Sequence, residues 1–411
     1  MQPWPAPQAS TSLAALPGKS PLPKVWDTAT QSLATVGSAA GASIYVCGIT
    51  PYDATHLGHA ATYVGFDLLN RVWRDAGVEV DYVQNVTDVD DPLLERAAVT
   101  GETWQELAAR EIALFHRDMT ALRVLPPQHY VGVVESIAIV VALIQKLQAD
   151  GAAYDVDGDL YFAVNSSGEF GSVSHDDRAV MLELFAERGG DPERPGKRDP
   201  LDSLLWRAER PGEPAWDAAI GRGRPGWHVE CTAIALEYLE APLSVQGGGR
   251  DLVFPHHEMC AAQGAVITGG PFARSYVHAG MVGYDGAKMS KSRGNLVFVS
   301  KLLSEGVDPM AIRLALLAHH YRSDWEYTQA DLDSATTRLE TWRAATTLLT
   351  APSADGVLAV VRERLGDDLD APGALVAIDD WASSALAAGG GDAAAPELVR
   401  AVADLLLGIA L

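Results

Sequence analysis

The pattern of hydrophobic and polar positions near the start of the chain predicts a strand, a helix and a second strand. Residues 43–46 predict a short buried strand, and residues 80–86 predict the second one. A polar turn at 47–58 separates the first strand from a helix that begins near Ala60 and ends at Gly77. That helix places five apolar residues on one face: Val64, Leu68, Leu69, Val72 and Trp73. The βαβ order predicts an α/β fold with a parallel sheet of Rossmann type.

The pattern changes several times beyond this unit. Residues 104–122 and 131–149 predict helices, whereas short alternating runs around an Asp-Gly turn within 153–165 predict a hairpin. The stretch 187–226 contains many Gly, Pro and charged residues, which predicts an irregular inserted segment.

Alternation of strands and helices returns over 227–299, which is typical of a split Rossmann domain that resumes after an insertion. After Pro309 the chain predicts a helical bundle, including a helix at 328–349 and a joint at 387–396. We therefore divide the chain into five parts: an extended N-terminal arm (1–41), the first half of the Rossmann catalytic domain (42–130), an inserted α+β segment (131–226), the second half (227–300) and a C-terminal helical domain (301–411).

Composition narrows the possible partners. The 411 residues include 54 acidic and 31 basic side chains, so the formal net charge is −23. Nucleic acid binding normally needs a basic surface, because the release of counterions from the phosphates supplies the favourable free energy. The charge therefore argues against nucleic acid as the main partner.

The cysteines and the apolar runs indicate the compartment. Three cysteines are too few for a disulfide framework in a chain of 411 residues, so we expect reduced thiols and a cytoplasmic protein. The longest apolar run, 137–144, is too short to cross a bilayer. The first seven residues show neither the basic nor the apolar stretch of a secretory signal.

A first candidate site, His56-Leu57-Gly58-His59, lies at the predicted turn between the first strand and its helix. Glycine lets a phosphate approach the backbone, and helix N-terminal amides point at it. Two imidazoles can then stabilise the charge that develops in a transition state. A short H-x-x-H pattern is weak by itself, because most such pairs have surface or core roles.

A second pattern, Lys288-Met289-Ser290-Lys291-Ser292, lies on a loop flanked by glycine. Its ammonium groups suit polyphosphate oxygens, although a basic run is more often a solvated loop. Together and in this order, the two patterns resemble the signatures of class I aminoacyl-tRNA synthetases. The resemblance implies that His56, His59, Lys288 and Lys291 are catalytic residues that bind ATP and stabilise adenylyl transfer.

Cys47, Cys231, His256 and, with weaker support, Cys260 are candidates for a metal site. Thiolates and imidazole are ligands that zinc prefers, and three protein ligands leave a fourth position open for a substrate. The alternative is that these are small core cysteines and a structural histidine. Their spacing alone leaves both interpretations open.

Three longer segments, 47–53, 224–231 and 247–258, resemble cysteinyl-tRNA synthetase, and the resemblance extends from about Tyr45 to Tyr327. In that family the matching cysteines and histidine hold a zinc ion whose remaining position takes the substrate thiolate. The resemblance therefore implies one Zn2+ per chain at the first three candidate ligands, and cysteine as the substrate.

The chain departs from cysteinyl-tRNA synthetase at two points. Cys260 stands where that family has a glutamate ligand, and we interpret it as an inert neighbour because an open site needs only three protein ligands. Only 119 of the 411 residues follow Ser292, where the synthetase carries a long anticodon-reading extension. Residues 301–411 hold eight basic against 17 acidic side chains, a net charge of −9 that suits a tRNA stem poorly.

The short tail, the N-terminal arm and the segments 50–63 and 187–192 resemble a narrower family. Its members are the ligases of mycothiol biosynthesis, which join cysteine to the amine of glucosaminyl-inositol. The resemblance implies two steps with ATP and Mg2+: cysteinyl-adenylate and pyrophosphate form first, and the sugar amine then displaces AMP. We expect small-molecule substrates, no nucleic acid or membrane partner, and a monomer. A minimal cysteinyl-tRNA synthetase and an inactive zinc- and nucleotide-binding paralogue are the alternatives.

The same resemblance implies further contacts to the adenylate, from residues that are small, hydroxyl-bearing or flat. They are Cys47, Gly48, Ile49, Thr50, Thr62, Asn85, Val86, Thr87, Trp227, Gly249, Arg250, Asp251 and Val282. Asp88, Asp90 and Asp91 follow the second predicted strand, and we interpret them as a charge cluster at the N-terminus of a helix before Leu93. The general base for the amine is left unassigned.

Overall fold

A computed structural model of the chain describes residues 1–7, 16–289 and 295–411, without the side chains of residues 287 and 288. The strands are β1 (Lys24–Asp27), β2 (Ser32–Thr35), β3 (Ala42–Val46), β4 (Val80–Val86), β5 (His129–Gly132), β6 (Ala153–Val156), β7 (Asp159–Phe162), β8 (Ser203–Ala208), β9 (Gly223–Pro225), β10 (Val245–Gly249), β11 (Tyr276–Ala279), β12 (Val282–Tyr284), β13 (Ala287–Lys288) and β14 (Trp325–Glu326).

The helices are α1 (Leu57–Asp75), α2 (Asp91–Thr100), α3 (Trp104–Ala121), α4 (Ile137–Ala149), α5 (Arg178–Glu187), α6 (Trp227–Tyr238), α7 (Glu258–Thr268), α8 (Val299–Ser304), α9 (Pro309–Leu317), α10 (Gln329–Thr346), α11 (Asp355–Gly366), α12 (Ala371–Ala388) and α13 (Ala395–Leu407). In the part of the chain that the structure describes, none of these helices combines the length and the apolar character needed to cross a bilayer.

The centre of the fold is a five-stranded parallel sheet in the order β11-β10-β3-β4-β5. β3 comes from the first half of the chain and pairs with β10, which follows a long insertion, and β10 in turn pairs with β11. The predicted strands at 43–46 and 80–86 are confirmed, and so is the split α/β fold of Rossmann type. The carboxyl ends of these parallel strands meet at one edge, which is where such sheets bind ligands.

Helix α1 crosses from β3 to β4 and carries the predicted apolar face. Val64, Leu68, Leu69, Val72 and Trp73 are each at most 1% exposed. The helix begins at Leu57 because the His56 side chain caps it, accepting hydrogen bonds from the amides of Gly58 and His59 at 3.1 and 3.4 Å.

A second sheet of four antiparallel strands, in the order β6-β7-β8-β9, forms the inserted part. The hairpin predicted within 153–165 is confirmed as β6 and β7. The expectation of an irregular stretch at 187–226 is wrong for β8 and β9, which pair antiparallel with each other. Arg224 on β9 also pairs with Glu213, in the loop between the two strands, at 3.1 Å.

The helix predicted at 131–149 begins later than expected. Residues 131 and 132 end strand β5, and α4 starts only at Ile137. The reason is tertiary, since this segment pairs with β4 from Val83↔His129 to Val86↔Gly132 and so continues the parallel sheet. Helix α2 follows the acidic residues after β4, as predicted, and α5 forms in addition to the predicted helices.

The N-terminal arm contacts the C-terminal helical domain, and part of it is a hairpin rather than the expected extended segment. β1 pairs with β2, and the amide of Trp26 donates a hydrogen bond of 2.9 Å to Asp368. The predicted helical tail is confirmed. The helix predicted at 328–349 corresponds to α10, and the joint predicted at 387–396 lies between α12 and α13. The exact limits of the five parts stay a prediction.

Candidate active site

Three of the predicted metal ligands lie close together near the edge of the central sheet at which its parallel strands end. Cys47 follows β3, Cys231 lies on α6, and His256 lies in a short π-helical segment, Val253–His257, that precedes α7. Their ligand atoms all lie within 4.8 Å of one another, and all three residues are buried. The structure therefore brings together a donor set of two thiols and one imidazole.

The electrostatics of this group follow from burial. Desolvation raises the pKa of the Cys231 thiol, and the contact with Cys47 raises it further. Burial also raises the pKa of Cys47, although a hydrogen bond with Cys231 opposes the change. Burial and the neighbouring His228 lower the pKa of His256, so its imidazole is neutral. A cation between the thiols would stabilise their thiolate forms.

The two ring nitrogens of His256 differ in their hydrogen bonding. Its Nδ1 lies 3.0 Å from Nδ1 of His228, whereas its buried Nε2 has no hydrogen-bond partner among the described residues. The ring stacks on Trp227 with centroids 4.4 Å apart. A buried imidazole nitrogen without a partner is unusual, and it fits a metal ligand.

Two further histidines, which the sequence did not single out, support Cys47. Nε2 of His257 lies 3.2 Å from Sγ of Cys47, and its Nδ1 lies 2.7 Å from Nε2 of His278. The hydroxyl of Thr28, in the N-terminal arm, is 2.7 Å from Nδ1 of His278. Burial lowers the pKa of His278 to about 3. The adjacent His256-His257 pair was the only sequence signal for this chain of contacts.

Cys260 lies outside the group of three. Its buried thiol donates to the carbonyl oxygen of His228 at 3.6 Å. Burial raises its pKa, and the nearby Cys231 adds to the effect. The geometry agrees with the interpretation of Cys260 as a neighbour on α7.

The two histidines of the H-x-x-H pattern lie at the N-terminus of α1. The rings of His56 and His59 stack with centroids 3.8 Å apart. A Cβ atom on Gly58 would lie 2.9 Å from the His56 ring, so glycine is needed for this arrangement. Lys291 and the side chain of Lys288 lie outside the described residues.

The adenylate candidates at the ends of β3 and β4 form one hydrogen-bonded unit. Oδ1 of Asn85 accepts a bond of 2.8 Å from the amide of Gly48, and Nδ2 of Asn85 donates to Thr87 at 3.1 Å. The amide of Thr87 donates to the carbonyl of Ile49 at 3.0 Å. A Cβ atom on Gly48 would lie 1.6 Å from the Asn85 carbonyl oxygen, so only glycine fits here. Val86 is buried beside them.

The remaining adenylate candidates surround the same edge. Thr62 donates from α1 to the carbonyl of Gly58 at 3.2 Å, and Val282 at the start of β12 lies about 4 Å from the Gly58 position. Gly249 ends β10, Arg250 and Asp251 follow it, and Arg250 pairs with Asp324 at 2.7 Å. Trp227 begins α6, and Thr50 follows β3.

The acidic residues after β4 have separate roles. Asp90 caps α2 by accepting from the Asp91 amide at 2.8 Å, and Asp91 lies in the first turn, as the charge-cluster interpretation requires. The interpretation is wrong for Asp88, because its carboxylate accepts from the Val134 amide at 2.9 Å and so holds the chain after β5.

A cleft of about 1040 Å3 opens next to the site, between the parallel sheet and the inserted antiparallel sheet. Thr50, Trp227 and His228 lie in its wall, so the cleft adjoins both the adenylate candidates and the metal-ligand group. The adenylate candidates, the metal-ligand candidates and a large cleft therefore lie within one region.

Comparison with known proteins agrees with this geometry. Residues 34–337 match the family described as the tRNA synthetases class I (C) catalytic domain. The Mycobacterium tuberculosis methionyl-tRNA synthetase with methionyl-adenylate has a TM-score of 0.62 at 17% identity, over 89% of each chain. The Agrobacterium radiobacter K84 leucyl-tRNA synthetase in a ternary complex with tRNA has a TM-score of 0.66 at 11% identity, over 91% of this chain and 84% of that one. The chain therefore has the catalytic fold of the class I aminoacyl-tRNA synthetases.

Curated relatives define the narrower group. Proteins of Thermomonospora curvata and Acidothermus cellulolyticus are 62% identical over 414 residues and 61% identical over 411 residues, each over 100% of both chains. Both are named L-cysteine:1D-myo-inositol 2-amino-2-deoxy-alpha-D-glucopyranoside ligase. The chain belongs to this family of ligases, and it is an enzyme related to the aminoacyl-tRNA synthetases.

Proposed function

We propose that this chain joins L-cysteine to the amine of 1D-myo-inositol 2-amino-2-deoxy-α-D-glucopyranoside in an ATP-dependent reaction. The reaction passes through cysteinyl-adenylate and releases pyrophosphate and then AMP. The names of the relatives support the substrates. The observation that carries the chemistry is the buried group of Cys47, Cys231 and His256, whose ligand atoms lie within 4.8 Å of one another beside the nucleotide edge.

Zn2+ is the metal that this donor set fits best, because thiolates and imidazole together suit zinc. Cys47, Cys231 and the unpartnered nitrogen of His256 would hold it. When bound, zinc supplies an open coordination position that a substrate thiolate fills far better than a serine hydroxyl does. His257 would support Cys47 through the contact of 3.2 Å.

In the first step the carboxylate of cysteine attacks the α-phosphorus of ATP. His56 and His59, beside the N-terminal amides of α1, stabilise the charge on the transferring phosphoryl group. Lys288 and Lys291, together with Mg2+, neutralise the leaving pyrophosphate. Holding both substrates in line contributes up to about 7–11 kcal/mol in well-aligned reactions.

In the second step the sugar amine attacks the carbonyl carbon of the adenylate, and AMP leaves. The residues that would hold the adenylate for this attack are Cys47, Gly48, Ile49, Thr50, Thr62, Asn85, Val86, Thr87, Trp227, Gly249, Arg250, Asp251 and Val282. The close packing of Gly48 on Asn85 requires a residue without a side chain at this position.

We further propose that the chain acts as a monomer in the cytoplasm on small-molecule substrates. Its three buried cysteines carry free thiols, which suits a reducing compartment.

Cysteine-dependent exchange of labelled pyrophosphate into ATP tests the first step, and supplying either the amino sugar or cysteine tRNA tests the second. We expect exchange with cysteine but not serine, and transfer to the amino sugar alone. Absence of exchange would overturn the adenylate step and favour an inactive paralogue. Charging of tRNA without use of the amino sugar would favour a minimal cysteinyl-tRNA synthetase.

Removal of a metal ligand tests the metal group. We expect Cys231→Ala to lose the bound zinc. Cysteine-dependent exchange should fall by at least 100-fold, because the thiolate of the substrate cysteine then lacks the metal that binds it. Cys260→Ala is the matched control, because it removes a buried thiol from outside the group. Metal analysis and exchange rates provide the two measurements. Full exchange activity in a zinc-free Cys231→Ala protein would contradict the proposal.

A further inference from the structure

The cleft beside the candidate active site has the size of a substrate site. Its volume of about 1040 Å3 lies at the upper end of the range of about 300–1,000 Å3 that small-molecule pockets show. One wall comes from the parallel sheet, with Thr50 and the start of α2, and the other comes from the antiparallel sheet and the end of α5. The cleft is therefore open to a second substrate that approaches the adenylate.

The guanidinium groups of the cleft are already occupied by protein groups. Arg224 and Arg207 each pair with both Asp91 and Glu213. Arg210 and Arg194 both pair with Asp159, at 2.9 and 3.2 Å. Arg188 donates to the carbonyl oxygens of Asp251 and Phe254. These five arginines are therefore poorly placed to bind a phosphate-bearing acceptor.

Three carboxylates of the cleft stand outside the ion pairs described above. Among the described residues, Asp90, Glu95 and Glu187 make no ion pair, although all three line the cleft. Burial raises the pKa of Asp90 to about 6; the carboxylates of Asp91 and Glu95 raise it further, whereas the Asp91 amide and the charge of Arg224 oppose the change. A cation placed among these groups would relieve their mutual repulsion.

The cleft also contains a hydroxyl group without a partner. Ser203, on β8, lines the cleft and is 1% exposed. Its Oγ has no hydrogen-bond partner among the residues that the structure describes. Buried hydroxyls are normally hydrogen-bonded, so this atom is suited to a hydroxyl group of a ligand.

We infer that this cleft binds the acceptor, a polyhydroxylated sugar with a protonated amine, and that Asp90 and Glu95 receive its ammonium group while Ser203 bonds a sugar hydroxyl. This inference rests on the proposed function and assigns the second substrate to particular residues. Asp90 and Glu95 line the same cleft as Thr50, which is one of the adenylate candidates. The ammonium site and the adenylate candidates therefore border one cavity.

The test compares the two half-reactions in the full-length protein. We expect Asp90→Asn and Glu95→Gln each to raise the KM for the amino sugar at least ten-fold, because each removes one charge from the ammonium site. Ser203→Ala should raise it about three-fold. In all three variants the KM for cysteine in pyrophosphate exchange should change much less. Glu183→Gln is the matched control, since Glu183 is an exposed carboxylate one turn before Glu187 on α5 and does not line the cleft.

A substrate analogue separates recognition of the amine from recognition of the sugar. Glucosyl-inositol carries a hydroxyl in place of the amine. Its inhibition constant in the ligation should be at least ten times the KM of the amino sugar. Asp90→Asn and Glu95→Gln should abolish that difference, whereas Ser203→Ala should preserve it.

The outcomes separate the inference from the proposed function. An unchanged KM for the amino sugar in both carboxylate variants would overturn the inference. A loss of pyrophosphate exchange in Glu95→Gln would also overturn it, because exchange does not use the acceptor that this exposed residue is inferred to bind. If the unmodified enzyme performs exchange but does not use the amino sugar at all, the proposed function fails instead.

Discussion

At the scale of single residues, Arg188 links the inserted part to the candidate active site. It ends α5, and its Nη1 donates to the carbonyl oxygen of Asp251 at 2.6 Å and to that of Phe254. These carbonyls belong to the segment that carries Asp251 and His256. Arg188 is therefore a positioning residue, because it touches backbone and no reacting group.

We expect Arg188→Ala to raise the KM values for cysteine and ATP in pyrophosphate exchange by roughly 10- to 100-fold. The expected loss corresponds to about 1.5–3 kcal/mol for hydrogen bonds to a charged group. Zinc content should fall as well, since the same segment carries His256. Arg178→Ala is the control, because Arg178 lies on the same helix and pairs with Asp199 at 2.8 Å outside this segment. Equal KM values in the two variants would contradict the role.

Asp118 on α3 shows the cost of a buried carboxyl. It is 1% exposed, its Oδ2 has no hydrogen-bond partner among the described residues, and burial raises its pKa to about 7. The folded state therefore keeps a proton that the unfolded state releases near pH 4. The contribution of Asp118 to the free energy of unfolding should therefore fall as pH rises from about 4 to 7 and should stay level above that range.

We expect Asp118→Asn to raise the free energy of unfolding at pH 8 and to change it little at pH 4.5, where the carboxyl is protonated in the folded state. The neutral amide removes the buried charge that exists only at the higher pH. Urea unfolding at the two pH values measures the effect. Equal stabilisation at both pH values would contradict this explanation.

At the scale of elements, a buried ionic cluster joins three helices. Asp67 and Arg71 of α1 are 2.7 Å apart, and Arg313 of α9 binds the same carboxylate. Arg313 also donates to the carbonyl oxygens of Leu407 in α13 and Leu122, both at 2.7 Å. Although burial opposes it, the two arginines lower the pKa of Asp67. The cluster fixes the C-terminal helices against the helix that carries His59.

We expect Arg313→Met to lower the free energy of unfolding by about 3–5 kcal/mol, because it leaves a buried carboxylate and two carbonyls with fewer partners. Arg343→Ala is the control. It removes a partly exposed pair with Asp308, which should cost about 1 kcal/mol. Urea unfolding measures the free energy of unfolding of both variants. A similar decrease in each would contradict the expectation that the buried cluster stabilises the fold more than the Arg343 pair does.

The elements also show how far periodicity predicts a fold. The apolar face of α1 could be predicted because its residues are neighbours within one helix. β8 and β9 were missed because their stability comes from pairing with each other and with β7, and from ion pairs such as Arg210 with Asp159 at 2.9 Å. A local pattern does not contain those partners.

At the scale of the whole molecule, the net charge of −23 should keep the enzyme from binding tRNA. We expect a dissociation constant for cysteine tRNA weaker than about 10⁻⁴ M at 150 mM salt, since non-specific binding needs released counterions. Fluorescence anisotropy measures it. Micromolar binding that weakens steeply with salt would contradict the expectation.

The sequence by itself determined the βαβ unit, the acidic balance, the H-x-x-H turn and the identity of the three metal-ligand candidates. The first three depend on spacing along one helix or turn, or on residue type alone, whereas the choice of the metal-ligand candidates rests on the resemblance to cysteinyl-tRNA synthetase. Only the tertiary structure decided that Cys47, Cys231 and His256 meet, because strand pairing and helix packing bring distant segments together. It also decided that His228, His257 and His278 support them and that Ser203 lines the cleft while its Oγ has no hydrogen-bond partner among the described residues. Contacts between elements depend on which strands pair, and local periodicity does not specify that choice.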